Sequence, residues 1–307
     1  MGGLLNRLSN GKIIFTESEI RYIINRYINN KNTPKKIGEM LGVAESVIVR
    51  VLKENNVEIR KKTTKYTINE HIFDVIDTEE KAYWIGFIWC DGYNLKRNRY
   101  GNPTYEFKLS LMSSDYKHLE KFKKSINSNH EIKFYKFKNR FNGEKSEECR
   151  VLIANTKFGK KLDEEYGLFA NRTDVSKLIS KIPNNLMKHF IRGIIDADGS
   201  FGCSWTHDNC KNYESYKTHV HISTYENLIH FINNYLEDNG IINVKSKLYT
   251  RHEGRDGVCK QVTYSGNINA VRLLDWLYKD STIYLDRKYE KYLDVKNKIN
   301  AQCNKNN

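Results

Sequence analysis

Two apolar segments of this chain have the periodicity of buried helices, and each ends in the dipeptide Asp-Gly. The first runs over residues 84–92 and the second over residues 191–199. Each keeps a glycine at the same place, Gly86 in one and Gly193 in the other, which are 107 positions apart (193 minus 86). Small residues recur every four positions, and residues at i and i+4 share one face of a helix. The pattern predicts two copies of one helical unit, each with a stripe of small residues.

A stripe of small residues lets two helix backbones approach more closely than bulky side chains would allow. We therefore predict that the two helices pack side by side, in parallel, through these stripes. The alternative is that each stripe packs on a sheet inside its own domain. The predicted interface consists of five small residues from the two helices: Ala82, Gly86, Cys90, Gly193 and Ala197.

The ends of the first helix carry recognisable signals. Asp77, followed by Glu80, predicts an N-terminal cap of the capping-box type. Gly92 supplies a C-terminal stop after Asp91. The second helix has Pro183 near its start and a glycine at its end, the usual asymmetry of helix termini.

Asp91 and Asp198 fall in the last turns of the two helices. A helix C-terminus carries about half a negative charge, so a carboxylate there is unfavourable by about 0.3–1 kcal/mol. Two such ends packed in parallel would repel each other unless a cation lay between them. Mg²⁺ binds carboxylate oxygens and keeps water and phosphate oxygens as its other ligands. The pattern favours a metal site, and the alternative is that each Asp-Gly is only a turn.

Residues 193–199, Gly-Ile-Ile-Asp-Ala-Asp-Gly, resemble the motif of the LAGLIDADG homing endonucleases, and the resemblance covers about residues 68 to 295. The first copy departs from that motif at Trp89 and Cys90 but keeps Asp91. The resemblance implies an α+β fold of two pseudo-symmetric αββαββα units that form a saddle of antiparallel sheets. It also implies that Asp91 and Asp198 hold Mg²⁺ or Mn²⁺. Both strands of a long asymmetric double-stranded DNA site would be cut, leaving short 3′ overhangs.

The same resemblance extends to a basic residue for each half of the site. Residues 285–289, Leu-Asp-Arg-Lys-Tyr, resemble the family segment that brings a basic residue to the active site, which implies that Lys288 stabilises charge at the phosphate. Residues 170–173 stand in the corresponding place of the first half, with Arg172 as the basic residue. Arginine stays charged and cannot carry a proton near neutral pH. The alternative is a surface basic residue that precedes a helix.

Strand-like segments with alternating apolar positions follow each acidic helix. The order of elements is the same after both, which predicts helices packed on an antiparallel sheet in each half. In the first half the predicted strands are 93–100, 105–112, 131–138 and 149–155, with a helix over 116–126. In the second half they are 201–205, 217–223, 244–251 and 259–264, with a helix over 226–238.

Basic and aromatic residues alternate along one strand of each half. Such strands suit a β-ribbon laid in the DNA major groove, and the alternative is an ordinary solvated sheet face. The predicted DNA-binding residues are Lys136, Lys138 and Arg140 in the first half, and Lys245, Lys247, Tyr249 and Arg251 in the second.

The N-terminal region has a different texture. Amphipathic segments over 17–27, 35–41 and 45–54 predict three short helices, with Gly42 placed where a turn needs positive φ. The pattern fits a helix-turn-helix, whose second helix enters the major groove. The predicted DNA contacts are Ser46, Arg50 and Lys53 on that helix, and Arg60 in the basic segment that follows. The alternatives are a three-helix protein-binding module and a basic segment that is only a solvated tether.

Composition favours nucleic acid as the partner. The chain has 307 residues with 51 Lys and Arg against 37 Asp and Glu, a formal charge of +14, and it contains 20 Tyr and 13 Phe. An excess of basic over acidic residues, together with many aromatic residues, is typical of nucleic-acid-binding proteins. There is no apolar run of membrane-spanning length. The six cysteines form no Cys-x-x-Cys pair, which argues against a zinc ribbon. We expect a reduced, cytoplasmic protein of a bacterial or phage-infected cell, with an organelle as the alternative.

The sequence thus predicts a monomeric, site-specific, metal-dependent DNA endonuclease with an added DNA-binding domain. The alternatives of the same fold are a DNA-binding regulator that does not cut and a maturase that binds intron RNA. The predicted divisions are a helix-turn-helix domain over 1–60, a basic linker over 61–76, the first half over 77–176, the second half over 177–296, and a polar tail over 297–307.

Overall fold

The computed structural model describes residues 6–7, 13–60, 66–99, 101–138, 143–168, 175–208, 213–243, 248–250 and 259–305. The chain divides into two compact units, Met1–Lys65 and Tyr66–Asn307.

The N-terminal unit consists of three helices and a short strand pair. Strand β1 (Asn6–Arg7) pairs antiparallel with β2 (Ile13–Ile14), and the helices are α1 (Glu17–Ile28), α2 (Pro34–Leu41) and α3 (Glu45–Glu54). These bounds agree closely with the helices that the apolar pattern predicts. The core joins all three helices through Ile23, Tyr27, Ile37, Ile48, Val51 and Leu52.

The turn between α2 and α3 depends on two glycines. Gly42 follows α2 with φ of +66°, so the predicted positive φ is confirmed. A Cβ added at Gly38 would lie 2.6 Å from the carbonyl oxygen of Val43, so a side chain there would collide with the turn. The N-terminus of α1 is fixed by a capping box between Thr16 and Glu19.

The C-terminal unit contains the same order of elements twice. The first half has α4 (Glu79–Asp91), β3 (Gly92–Arg99), β4 (Asn102–Met112), α5 (Tyr116–Ser125), β5 (Ile132–Lys138), β6 (Lys145–Ile153), α6 (Thr156–Glu164) and α7 (Ser176–Ser180). The second half has α8 (Met187–Asp198), β7 (Gly199–Asp208), β8 (Tyr213–Tyr225), α9 (Glu226–Asp238), β9 (Leu248–Thr250), β10 (Cys259–Ser265), α10 (Asn267–Tyr278) and α11 (Asp286–Lys305).

Each half builds one four-stranded antiparallel sheet of the same topology. The strand order is β3-β4-β6-β5 in the first sheet and β7-β8-β10-β9 in the second. One face of each sheet is apolar and packs on helices, as Phe107 and Leu109 do in β4 and Val220 and Ile222 do in β8. The predicted α+β class and the duplicated αββαββα order are therefore confirmed.

Two segments differ from the predicted divisions because they carry apolar residues that pack into the core. Residues 66–76 fall in the predicted basic linker, yet Phe73 and Ile76 are buried in the core of the C-terminal unit. Residues 297–305 fall in the predicted polar tail, yet they continue α11 and bury Ile299. Among the described residues, no helix is both long and apolar enough to cross a membrane.

Candidate active site

Helices α4 and α8 are in contact through their glycines. A Cβ at Gly86 would lie 2.3 Å from the carbonyl oxygen of Phe190, and one at Gly193 would lie 2.1 Å from that of Tyr83. No side chain fits at either position, so the two backbones touch there. Ala82 is fully buried and Ala197 is half-buried. The Sγ of Cys90, in contrast, lies 4.0 Å from the Oγ1 of Thr224, so this side chain meets strand β8.

The N-cap of α4 differs from the one that the sequence predicts, whereas the helix ends at Asp91 with Gly92 as its C-cap, as predicted. The N-cap is Thr78, whose hydroxyl accepts from the backbone N–H of Lys81 at 3.3 Å, while Asp77 forms an ion pair with Lys81. Gly92 follows α4 with φ of −73°, so it is not a left-handed stop. A Cβ there would lie 2.3 Å from the carbonyl oxygen of Ile88. Glycine is required because the chain turns sharply from helix into strand, against its own last turn.

Asp91 and Asp198 are half-buried residues in the last turns of α4 and α8, as the sequence predicts. Asp198 borders a cavity of about 340 Å³ that is also lined by Ser200, His221, Ser223 and Gln261. These four polar residues come from the adjoining strands β7, β8 and β10. The cavity is therefore a polar recess that opens directly beside the predicted metal-binding carboxylate.

Lys288 belongs to α11, and its side chain reaches the C-terminal end of α8. It is 5% exposed, and its ammonium donates to the carbonyl oxygens of Ile195, at 2.9 Å, and of Gly199. Burial lowers the pKa of Lys288 to about 8, although the charges of Asp196 and Asp91 act in the opposite direction. Cys90, which precedes Asp91, lies 4.0 Å from Thr224 of β8, and the neighbouring Ser223 lines the cavity beside Asp198, so the C-terminal ends of α4 and α8 lie on the same side of the unit.

The segment between α10 and α11 that leads to Lys288 is tied down by a buried ion pair. The fully buried Arg192 donates to Glu79 Oε1 at 2.7 Å and to the carbonyl oxygens of Leu277 and Ile283. The same Glu79 oxygen accepts from the backbone N–H of Thr282 at 2.8 Å. Burial alone would raise the pKa of Glu79, but the Thr282 N–H and the Arg192 charge together lower it.

Asp196, two residues before Asp198, has a different environment. It is fully buried and accepts three hydrogen bonds, from the hydroxyls of Tyr83 and Tyr278 and from the backbone N–H of Leu285. Burial raises the pKa of Asp196, and these hydrogen bonds oppose that rise. This carboxylate therefore binds protein groups and not solvent.

The donor set fits a hard divalent cation. Two carboxylates at two helix C-termini, where backbone carbonyl oxygens also gather, are the oxygen ligands that Mg²⁺ prefers. Within the described ranges, no cluster of three or more His, Cys, Asp and Glu side chains could hold a metal ion by itself. Mg²⁺ typically takes one or two carboxylates and completes its shell with water and substrate phosphate.

The predicted DNA-binding lysines of β5 lie on the face of the strand that turns toward the helices. Lys136 and Lys138 share that face with Ile132 and Phe134, and Phe134 stacks on Tyr116 of α5 at 5.5 Å between ring centroids. Both lysines are nevertheless exposed.

Five of the predicted site residues lie outside the described residues. They are Arg140, Arg172, Lys245, Lys247 and Arg251. Tyr249 belongs to β9, where it pairs with Gln261 of β10.

The open face of the first sheet carries cations stacked on aromatic rings. Lys108 Nζ lies 4.9 Å from the ring centroid of Tyr93, and the Arg150 guanidinium lies 4.4 Å from that of Tyr135. Arg150 also donates to the hydroxyl of Ser110 at 3.0 Å and forms an ion pair with Glu148. These contacts hold two cations in defined positions on the open face.

In the N-terminal unit, the predicted DNA contacts have two different environments. Ser46 and Lys53 are exposed on α3. Arg50 is half-buried and donates to the carbonyl oxygen of Ile13 at 2.7 Å, so it is not the freely exposed side chain that the helical pattern predicts. Arg60 donates to the carbonyl oxygens of Lys31 and Asn32.

Sequence reasoning missed the groups that complete the site. Asp196 stands inside the motif itself, but its partners Tyr83, Tyr278 and Leu285 come from other elements. Of the polar cavity residues, Ser200 is next to Gly199 and could have been noticed from the motif. His221, Ser223 and Gln261 carry no signal in the sequence, because only the sheet register brings them beside Asp198.

Comparisons with known proteins give structural likeness alone. No family model matches the chain, and no curated protein matches it. One similar solved structure is I-SmaMI bound to an uncleaved DNA target in the presence of calcium ions, at 14% identity, covering 75% of this chain and 93% of that chain, with a TM-score of 0.49. Another is the I-LtrWI LAGLIDADG homing endonuclease bound to target DNA, at 14% identity, with a TM-score of 0.45. The match covers 71% of this chain and 88% of that chain. These proteins are of the family that the two motifs resemble.

Proposed function

We propose that this protein is a divalent-metal-dependent endonuclease that cuts both strands of double-stranded DNA at a long, specific, asymmetric site. The observation that carries the proposal is the close packing of α4 on α8 through Gly86 and Gly193. Asp91 and Asp198 terminate these two helices, and Lys288 donates to carbonyl oxygens at the end of α8. In this proposal the two carboxylates and the ammonium form one site for hydrolysis of phosphodiesters.

Each group has a role that its surroundings support. Asp91 and Asp198 would hold Mg²⁺ or Mn²⁺, which when bound supplies Lewis-acid activation of water and stabilisation of the leaving oxygen. Lys288 would stabilise charge that develops on a phosphate oxygen. Its pKa of about 8 means that it carries a proton through most of the neutral range while remaining able to release one.

The open sheet faces supply the DNA-binding surface in this proposal. Lys108 and Arg150 are held on aromatic rings in the first half, and polar side chains line the recess beside Asp198 in the second. The formal charge of +14 favours phosphate contacts. Both halves of the paired site come from one chain, so a monomer is sufficient, and the N-terminal three-helix unit would extend the site through Ser46 and Lys53.

The decisive experiment replaces each carboxylate by its amide. Asp91→Asn and Asp198→Asn should each abolish double-strand cutting with Mg²⁺ and leave specific binding, measured with Ca²⁺, within about threefold of the unaltered protein. The physical reason is that an amide loses the negative charge that holds a hard cation. The target would first be selected from a randomised DNA library.

Asp275→Asn is the matched control. Asp275 is a carboxylate of α10 that accepts from Tyr292 and Lys296 and is not among the residues lining the recess beside Asp198. This variant should still cut both strands. Full cutting by either Asp91→Asn or Asp198→Asn would refute the shared site, and specific binding with no cutting by the unaltered protein would identify a DNA-binding regulator.

A further inference from the structure

Lys288 is delivered to the site by the segment that joins α10 to α11. Leu285 is the last residue of that segment, and its carbonyl oxygen accepts from the backbone N–H groups of Lys288 and Tyr289, at 2.9 and 3.1 Å. These bonds close the first turn of α11. Any shift of Leu285 therefore moves the backbone from which the Lys288 side chain extends.

Leu285 is itself held by Asp196. Its backbone N–H donates to Asp196 Oδ2 at 2.8 Å, and the same oxygen accepts from the Tyr83 hydroxyl at 2.8 Å. The other oxygen accepts from the Tyr278 hydroxyl at 2.5 Å. The three donors belong to the loop before α11, to α4 of the first half and to α10, so one buried carboxylate fastens three separate parts of the chain.

The hydrogen bonds that fix Leu285 continue into the first half. The Tyr83 hydroxyl gives its proton to Asp196, so it accepts from Nε2 of His118, which lies 3.0 Å away. His118 is 1% exposed and belongs to α5. A continuous hydrogen-bonded chain thus runs from α5 through α4 to the backbone that carries Lys288.

Two ion pairs fix the same backbone from the first half. Arg287 donates to both oxygens of Asp115, at 3.1 and 3.0 Å, and Lys121 donates to Asp286 at 2.5 Å. Asp115 is 8% exposed. The two residues that directly precede Lys288 in the first turn of α11 are therefore held by residues of the opposite half.

We propose that Asp196 is the positioning residue of Lys288, and that Tyr83 of the opposite half is part of the same device. The cleavage centre that uses Lys288 is then assembled only when α4 and α8 are docked. The expected effect on strand cleavage rests on the proposed function. The expected effect on the backbone of Leu285 and Lys288 does not depend on it.

The carboxylate is required because all three partners are donors. An asparagine at this position offers one acceptor oxygen, and its NH₂ group would face a hydroxyl or the Leu285 N–H. A buried donor left without an acceptor is costly. In the first half, Trp89 stands at the matching position (196 minus 107) and donates to the carbonyl oxygen of Tyr166. The two halves therefore use different chemistry at this position.

The structural test is amide hydrogen exchange on the full-length protein without DNA or metal. In Asp196→Asn, the amides of Leu285, Lys288 and Tyr289 should exchange at least about tenfold faster, because opening of this turn no longer breaks a carboxylate contact. Asp275→Asn, which removes a carboxylate of α10 that accepts from Tyr292 of α11, should leave these amides unchanged. Equal protection in Asp196→Asn and the unaltered protein would overturn the proposal.

The kinetic test uses duplex target with each strand labelled separately. Lys288→Met identifies the strand that depends on Lys288, and Asp196→Asn should slow that strand by about 10- to 100-fold, with the other strand less affected. The double variant should be no slower than Lys288→Met alone, because positioning has no effect once the lysine is absent. Equal slowing of both strands, or additive losses in the double variant, would contradict the assignment.

Tyr83→Phe keeps the experiment decisive if Asp196→Asn does not fold. It removes one of the three donors and leaves the carboxylate, so it should slow the same strand by a smaller factor. No effect on that strand would also count against the proposal. If the unaltered protein cuts neither strand, the proposed function fails, and the exchange measurement still decides whether Asp196 holds the segment.

Discussion

At the scale of single residues, the most unusual group in the core is His118. Its ring lies among Tyr83, Trp84 and Phe87, with centroids 4.8 Å from those of Trp84 and Phe87. Burial lowers the pKa of His118 to about 3. Its Nδ1 has no hydrogen-bond partner among the described residues. The histidine is therefore a neutral donor to Tyr83 in the folded protein throughout the ordinary pH range.

This burial makes the stability of the C-terminal unit depend on pH. Between about pH 3 and 6.5 the unfolded chain binds a proton at His118 that the folded protein excludes. Stability therefore rises with pH in that window and is lost on acidification, by up to about 1.4 kcal/mol per pH unit. His118→Gln can still donate to Tyr83 and does not titrate, so its free energy of unfolding should fall less between pH 6.5 and 4.

Urea unfolding at half-unit pH intervals measures this difference. The quantity to compare is the slope of the unfolding free energy with pH, because the side-chain exchange also changes stability by a constant amount. His230→Gln is the control, since His230 is exposed on α9. If His118→Gln keeps the pH slope of the unaltered protein, the folded protein does not exclude the proton from His118, and the neutral state assigned to it is wrong.

Residues with local signals could be predicted, and residues with distant partners could not. Gly86, Gly193, Asp91 and Asp198 follow from helical spacing and from the repeated Asp-Gly. His118 has no local signal, because its partner Tyr83 is on another helix. Asp196 was visible in the motif, but a buried acid is defined by its donors, which are 82 to 113 positions away.

At the scale of elements, the central contact is that of α4 with α8. Adding one methyl group at Gly193 would place it 2.1 Å from the Tyr83 carbonyl oxygen and 2.9 Å from the Phe87 nitrogen. These are backbone atoms within a helix and cannot move aside alone. The helices would have to separate, which would also disturb the contact at Gly86.

Gly193→Ala should therefore lower the free energy of unfolding by about 3 kcal/mol or more, although alanine is the better helix former. Gly202→Ala is the matched control, because its nearest neighbour is the flexible end of Lys291 at 3.3 Å. That change should stay within about 1 kcal/mol. Urea unfolding of both variants gives the comparison, and equal stabilities would mean that α4 and α8 do not touch at Gly193.

Element order and strand bounds were predictable, but the orientation of a strand was not always so. Alternation in β5 separates Lys136 and Lys138 from Lys133 and Tyr135 without saying which set faces the helices. Phe134 decides it by stacking on Tyr116, although half of its own surface stays exposed. The cap of α4 was misassigned for a similar reason, since Asp77 and Thr78 are both capping residues and Asp77 pairs with Lys81 instead.

At the scale of the whole molecule, the two halves share a fold but differ in charge beside the predicted metal-binding acids. Tyr93 and Ser200 directly follow the helix-ending glycines, and their cross-strand partners are Lys108 and His221. Lys108 is a cation held on an aromatic ring. Burial and the neighbouring His219 lower the pKa of His221, so it is neutral above pH 7. Matching positions thus present a charge in one half and a neutral hydrogen-bonding ring in the other.

This difference predicts unequal electrostatic roles in DNA binding. A lysine that contacts phosphate releases about one counterion, so Lys108→Gln should reduce the slope of log K against log[salt] by about 0.9. His221→Gln at pH 7.5 exchanges one neutral group for another and should leave the slope unchanged. Both can be measured by fluorescence anisotropy with a random-sequence duplex between 50 and 400 mM KCl. If neither variant changed the slope of log K against log[salt], the open face of the first sheet would not carry the phosphate contacts assigned to it. A reduced slope in His221→Gln alone would assign those contacts to the second half, with His221 protonated on DNA.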